Sequence, residues 1–306
     1  MEPTASTQEE TEQQRADRLR EESLRAAWQK TLLARHDLRP YTLDYVQRLF
    51  QNFSEIHGDR RYADDPAIVT GMAVYHGTPV MIVGHQKGRD IKQRQYRNFG
   101  YPQPEGYRKA IRAMKLADKF SRPIICFVDT PGAYPSVGAE ERGQAEAIAF
   151  NLREMARLEV PVVVCVIGEG GSGGALGIAI GNRILMQENA VYTVITPEGC
   201  SAILWKDQQH VETAAAALKI TASDLKRFGV IDEIVPEPPE GAQENHDAAA
   251  DLLDRQLRPC LESMLALPGS ELRRQRYEKF RRMGAVSTIQ ALNQAAYTAG
   301  STGTER

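Results

Sequence analysis

The sequence predicts an α/β fold, a largely parallel sheet covered on its faces by helices. Strand-like and helical segments alternate along most of the 306 residues. Pro123–Val128 and Val160–Ile167 are apolar without alternation, the mark of strands buried on both faces. The segments between them carry helical periodicity, and the alternation itself implies strand–helix–strand units.

Residues 1–12 are polar, small and acidic and read as a disordered tail. Residues 13–38 form a helical arm, with Leu24, Ala27, Trp28, Thr31 and Leu32 as its apolar stripe. Asp37–Pro40 breaks the arm, and Tyr41–Phe53 begins a second helix. Ala67–Val74 and Pro79–Gly84 are two strands joined at His76-Gly77, a hairpin turn. Glu105–Phe120 is a helix. Glu141–Leu158 is another, with Ala145, Ile148, Ala149, Leu152, Met155 and Ala156 facing inward. Gly173–Gly181 is a helix of small residues, followed by short strands at Arg183–Met186 and Val191–Ile195. Thr196-Pro197 supplies an N-cap and a first helical position. Thr221 and Asp224 have capping-box spacing. Val230–Val235 is the last strand, and two helices follow near 246–265 and 269–283. Residues 39–284 thus form one domain, and 285–306 a weakly patterned, mobile tail.

A net charge of −2 argues against a chain built to coat nucleic acid or membrane. The four cysteines, Cys126, Cys165, Cys200 and Cys260, show no Cys-x-x-Cys spacing, so no metal site is expected. The charged N-terminus lacks a signal peptide's apolar region, and no apolar run approaches the roughly 20 residues of a membrane helix. Cytoplasmic placement is expected.

The richest segment is Gly168–Ala175. From Gly168 to Gly181, seven of fourteen residues are glycine, poor helix material at about 1 kcal/mol each against alanine. This backbone must therefore approach something closely or offer bare N–H groups to a ligand. Three patterns fit. Gly168-x-Gly170-x-x-Gly173 matches a dinucleotide fingerprint, with Glu188 downstream. Gly170-x-Ser172-x-Gly174 matches a nucleophile elbow, with Asp207 or Asp232 and His210 or His246 available. The third is an oxyanion hole of glycine N–H groups, and plain helix–strand packing is the fourth possibility. Two strands, two helices and a further strand precede the segment, which suits a Rossmann domain poorly. A second loop, Asp129–Pro135, follows the neighbouring strand; its Asp-Thr-Pro-Gly is similar to a GTPase switch motif, but the chain has no Gly-x-x-x-x-Gly-Lys-Ser/Thr.

Many stretches in one order resemble the alpha subunits of acetyl-CoA carboxylase carboxyltransferases. They are Arg39-Pro40-Tyr41-Thr42-Leu43-Asp44-Tyr45, Gly84-His85-Gln86-Lys87-Gly88-Arg89, Asn98-Phe99-Gly100 and Pro104-Glu105-Gly106-Tyr107-Arg108-Lys109. Asp129 through Gln144, Gly168 through Ala175, Thr196–Cys200 and Ile203-Leu204-Trp205-Lys206 continue the match. It is near-continuous from Arg39 to Pro238 and weaker to Gly284. Ser136 stands where glycine is commoner, which matters only at positive φ. The N-terminal arm is short for that family, which bears on any contact made through it.

The resemblance implies a crotonase-like fold of stacked strand–strand–helix units. It implies a beta partner with a zinc ribbon, an alpha2beta2 assembly, and an active site between the subunits. Biotin arrives on a separate carrier protein and lies mainly on this chain; acetyl-CoA lies mainly on beta; a biotin carboxylase completes the system. The product is malonyl-CoA, for fatty acid synthesis. The family motif places a biotin-facing oxyanion hole on the N–H groups of Gly173 and Gly174. Gly132, Ala133, Gly170 and Gly171 line the same pocket. Arg142 is the candidate for holding the carboxylate, and Lys87 and Arg89 are candidate CoA or carrier contacts.

Several residues carry a plainer reading as well. Ala113-Met114-Lys115-Leu116 is close to a biotin attachment sequence, but Lys115 falls mid-helix beside the stripe of Ile111, Met114, Ala117 and Leu116, so it should be unmodified. Residues 85–120 hold ten Lys/Arg against three Asp/Glu, either a solvated face or a contact for CoA phosphates or an acidic carrier. Glu169 reads as a structural cap, His85 as a satisfied polar residue, and Ser172 as small and hydrogen-bonded. The rival functions are transfer to another short acyl-CoA, a stand-alone crotonase-type hydratase or hydrolase, a nicotinamide-dependent oxidoreductase, and a non-enzymatic scaffold.

Overall fold

The computed structural model describes residues 12–284. The expected tails, 1–12 and 285–306, lie outside the described residues except for Glu12, which begins the first helix. The chain begins with α1 (Glu12–Ala34), α2 (Thr42–Leu49), β1 (Gln51–Glu55), β2 (Ile68–Tyr75) and β3 (Thr78–His85). Next come α3 (Ile91–Tyr96), α4 (Pro104–Lys119), β4 (Ile124–Thr130), α5 (Val137–Glu141) and α6 (Gln144–Met155). The glycine segment spans β5 (Val162–Gly171) and α7 (Ser172–Leu176), before β6 (Arg183–Gln187), β7 (Val191–Thr193), α8 (Pro197–Leu204) and α9 (Val211–Leu218). The chain closes with α10 (Ala222–Arg227), β8 (Glu233–Val235), α11 (His246–Leu265) and α12 (Gly269–Arg282).

One sheet organises these elements in the order β1-β2-β3-β4-β5-β6-β8, with β7 paired to the far end of β5. β1, β2 and β3 are antiparallel, and β3 through β8 on this path are parallel. Every residue of β4 and of β5 is buried, which is why neither shows alternation. Their side chains still divide between two layers. Ile124, Cys126, Val128, Val162, Val164 and Val166 pack under α4, α6 and α7; Ile125, Phe127, Val163, Cys165 and Ile167 pack with Tyr45 and Leu257 from α2 and α11.

Several expectations need correction. The second helix stops at Leu49, and Phe53 lies in β1, a polar edge strand whose pattern is too weak to read; its ring fills the space left by Gly71. The helix expected from Glu141 to Leu158 is broken at Gly143, whose φ of 82° no helix interior accepts. The face it buries is rotated too. Gln144, Ala147, Asn151 and Met155 are buried, while Ala145 and Ala149 are exposed. Two amides go inside because carbonyls await them: Gln144 donates to Pro102 O, and Asn151 to Tyr107 O and Gly177 O. The strand expected to end at Ile167 runs on through the glycines to Gly171, which shortens the helix that follows to five residues. The last strand is only Glu233–Val235, and α3 and α9 were not foreseen.

The arm packs on its own chain. Ala27 and Ala34 are buried against Val191, Ala215, Ala216 and Ile220, with Leu24 and Trp28 at the margin. Leu32, expected in the stripe, is exposed. Ser136 has φ −141° and caps α5 by accepting the Ala139 N–H, so glycine is not required there. Among the described residues no helix is long and apolar enough to cross a membrane.

Candidate active site

The ends of β3, β4 and β5 lie side by side, and the loops leaving them meet. Each glycine of the β5–α7 junction can be judged by what a methyl group would touch. At Gly168 it would lie 2.7 Å from Asp129 Cγ, and at Gly170 2.6 Å from the Tyr192 ring. At Gly171 it would strike Pro131 O. At Gly174 it would come within 2.6 Å of Ala133 N, with Gly132 closer still, and at Gly177 within 2.6 Å of the Tyr107 ring. At Gly173 it would meet nothing nearer than Ile148 at 3.7 Å, an ordinary contact. Most of the run is therefore glycine for close packing, and Gly173 is the exception. It is half-buried and faces open space.

That space is a groove of about 610 Å³ bordered by Ser172, Gly173, Leu152, Leu176, Val194 and Phe280. Among the described residues no carboxylate lines it. Ser172, Thr193 and Val194 also border a narrow passage beside Gly170 and Gly171. Arg35, Pro131, Glu169 and Thr196 carry that passage into a polar pocket of about 430 Å³, which Lys87 and Arg94 also line. One cleft thus runs from an apolar end to a charged end, past the glycine strand.

A chain of charges holds the polar end. Lys87 Nζ lies 2.6 Å from Asp129 and 3.2 Å from Glu169. Arg35 Nε lies 2.5 Å from Glu169, and its other nitrogens reach Glu198. The Glu169 N–H donates to Asp129 Oδ1 at 3.0 Å, tying β5 to β4. Burial opposes ionisation of Lys87, but Asp129 and Glu169 outweigh it and hold the ammonium charged. Burial likewise pushes the Glu169 carboxyl up, and Lys87 with Arg35 brings it below the usual range. Glu169 is thus held as an ionised carboxylate between Lys87 and Arg35. His85 is fully buried; burial and the Lys87 charge lower its pKa to about 3. Its Nδ1 accepts the Asp129 N–H, while Nε2 is buried without a full hydrogen bond, so the expectation of a satisfied residue holds for one nitrogen only.

The predicted site residues separate. Gly132 and Ala133 pack their backbone on Gly174, and Gly170 and Gly171 lie within β5 beside the passage. Arg142 lies elsewhere. It pairs with Glu105 at 2.5 Å, bonds Gln103 and covers the Tyr62 ring, and it lines none of the three spaces. Arg89 pairs with Asp44 at 2.6 Å and lies over Tyr41. Most of the basic run is paired internally: Arg94 with Asp37, Arg108 with Asp59, Lys109 with Asp64 and Lys115 with Glu154. The residues not foreseen are Arg35, Tyr107, Asn151 and Tyr192. Tyr107 lay within a motif already singled out, but only the fold shows that its ring fills the gap at Gly177.

A dinucleotide fingerprint needs a turn after Gly168, but the strand continues to Gly171. Ser172 does have elbow geometry, exposed at a strand-to-helix turn with φ 49°. Yet its hydroxyl has no hydrogen bond among the described residues, contrary to expectation. No histidine serves it. His36 accepts from Leu38 N, His57 meets Asp64, His76 meets Asp254 and His85 Asp129 N. His210 stacks on Trp205, and His246 bonds Leu38 O. A row of backbone donors remains. The first N–H groups of α7 lack intrahelical acceptors, its N-cap is Gly171, and among the described residues no side chain caps it. Five residues make a weak dipole, so these donors act by position rather than through a macrodipole.

Comparison with known proteins agrees with this architecture. The chain is 62% identical over 262 residues to the acetyl-coenzyme A carboxylase carboxyl transferase subunit alpha of Geobacillus kaustophilus, covering 86% of this chain and 81% of that one. It is 58% identical over 271 residues to the subunit of the same name from Geobacter sulfurreducens, covering 88% and 85%. Among solved structures, a transcarboxylase 12S hexamer with methylmalonyl-coenzyme A bound matches at TM-score 0.60 and 17% identity. The match covers 82% of this chain, which spans under half, 44%, of that one. A Pseudomonas malonate decarboxylase hetero-tetramer in complex with coenzyme A matches at TM-score 0.58 and 16% identity, covering 78% and 91%. These likenesses give the chain a crotonase-like carboxyltransferase fold. A model of the acetyl co-enzyme A carboxylase carboxyltransferase-like family matches residues 3–284, and the chain belongs to that family.

Proposed function

We propose that this chain is the alpha carboxyltransferase subunit of an acetyl-CoA carboxylase, and that with a beta partner it moves a carboxyl group from carboxybiotin to acetyl-CoA. Carboxybiotin, presented by a separate carrier protein, supplies CO2 and then a base for the acetyl methyl group, so the protein needs no acid or base of its own. A groove lined by no carboxylate among the described residues suits such a reaction and suits a stand-alone hydratase poorly. The chain's task is to stabilise charge as it develops on an oxygen. The Gly173 N–H, at the one position where the glycine run is open to a ligand, is the first donor for it, and the N–H of the neighbouring Gly174, buried against Gly132 and Ala133, is the second. The apolar end of the cleft accepts the carrier-borne group, and the buried ion pairs keep both loops rigid beneath it.

The single observation that carries this reading at the site is the open face of Gly173 at the mouth of an apolar groove. The test is malonyl-CoA formation by the chain purified with its beta partner and supplied with carboxylated carrier. Turnover is expected only when both subunits are present. Full activity of this chain alone, or none from the assembled pair, would overturn the proposal.

A further inference from the structure

α7 is a single turn of five residues, two of them glycine, and such a turn does not hold itself together. Its hydrogen bonds are irregular where the donors lie. Gly177 N bonds Gly173 O, but Ile178 N bonds Ala175 O and so skips Gly174. The Gly174 carbonyl is taken instead by the Tyr107 hydroxyl from α4, at 3.1 Å. The Tyr107 ring is fully buried and lies in the gap left by Gly177. Asn151 of α6 then bridges Tyr107 O and Gly177 O, both at 2.9 Å. The turn is gripped at Gly174 by a hydroxyl and at Gly177 by an amide, and loop 131–133 closes on its other side.

We infer that Tyr107 is a positioning residue: its hydroxyl replaces the helical hydrogen bond missing at Gly174 and so fixes the direction of the Gly173 and Gly174 N–H groups. This rests on the reading of those groups as oxyanion donors. An oxyanion donor acts only when aimed at the position the charged oxygen will occupy. A short turn free to rock would still bind substrates but would stabilise the transition state less, which lowers kcat without raising KM. Burial pushes the Tyr107 phenol well above its ordinary value, so the hydroxyl stays protonated as a donor.

Tyr107→Phe removes the hydroxyl and keeps the ring against Gly177. In the assembled carboxyltransferase, assayed from malonyl-CoA to free biocytin, kcat should fall by about 5- to 50-fold with KM for malonyl-CoA unchanged. Replacement of Tyr107 by 3-fluorotyrosine, which retains both ring and hydroxyl, should restore kcat. Tyr75→Phe deletes another buried ring's hydroxyl, the one bonded to Asp254, and should leave kcat unaltered. Unchanged kcat in Tyr107→Phe, or a drop in kcat accompanied by a rise in KM and a melting temperature below that of Tyr75→Phe, would overturn the inference. Gly173→Pro separates the two levels. If it abolishes turnover while Tyr107→Phe leaves kcat unchanged, the donors stand and the positioning role falls. If Gly173→Pro retains full turnover, the donor reading itself falls.

Discussion

Gly173 and Gly174 are adjacent, yet a methyl group would have opposite effects on them. At Gly174 it meets the backbone of Gly132 and Ala133, which cannot swing aside as a flexible side chain would. Gly174→Ala should therefore destabilise by about 1–3 kcal/mol or more through overpacking, seen as a lower melting temperature and weaker assembly. Gly174→Pro carries the same clash and does not isolate the lost donor. Gly173→Ala has room, so its melting temperature should match that of the unmodified protein, and any loss of turnover reports on a ligand approaching that face. Gly173→Pro should cost about 10²–10³ in kcat if its N–H is an oxyanion donor. Ser172→Ala should be mild, and abolished turnover in that variant would revive the nucleophile reading. The glycine run was conspicuous in sequence because glycine is so costly in a helix. Which glycines serve packing and which serve a ligand was not legible, because the neighbours that decide it come from Asp129, Pro131, Gly132, Tyr107 and Tyr192.

Strongly periodic or uniformly apolar elements were legible: α4, β4, the hairpin and both C-terminal helices fall close to expectation. The misses share a physical cause. β1 is a polar edge strand, α6 buries two amides, and β5 incorporates glycines that local propensity assigns to a turn. In each case a tertiary partner outweighs the local pattern. Lys115 shows the same rule correctly applied. It lies in the fourth turn of α4, with Ile111, Met114 and Ala117 buried beside it, although Leu116 is exposed. It pairs with Glu154 at 2.6 Å and covers Phe150. It should carry no biotin, and an avidin blot labelling this chain would contradict that. The arm is a further case, because its short length suggested little role in contacts. Arg35 at its end instead reaches two carboxylates on β5 and α8. Arg35→Ala leaves Glu169 with Lys87 alone and should cost about 1–3 kcal/mol, measured by denaturant midpoint with an unchanged slope.

One buried ion pair joins the distant parts of the molecule. Arg39, in the turn after the arm, is 1% exposed, and it holds Glu237 in the loop after β8 at 2.6 Å. The same guanidinium donates to Ile167 O in β5 and to Gln187 at the end of β6. Glu237 also accepts from Asn189 N and Ala242 N, so the carboxylate is fully engaged. Burial alone would push that carboxyl up, but Arg39 and the two N–H donors outweigh it and hold it below the usual range. The sign of the pH effect follows. A carboxyl depressed in the folded state contributes its stability above the unfolded value, about 4.3, and loses it as pH falls through the lower folded value. Glu237→Gln leaves Arg39 buried without its counter-charge and should cost about 3–5 kcal/mol near neutral pH. The gap between the variant and the unmodified protein should narrow as pH drops below about 4, where the unfolded chain takes up a proton before the native carboxylate does. Denaturant melts at several pH values measure this directly. A gap that stays constant between neutral pH and pH 3 would mean that the amide substitution perturbs packing and that the ion pair does not supply the acid-sensitive part of the stability.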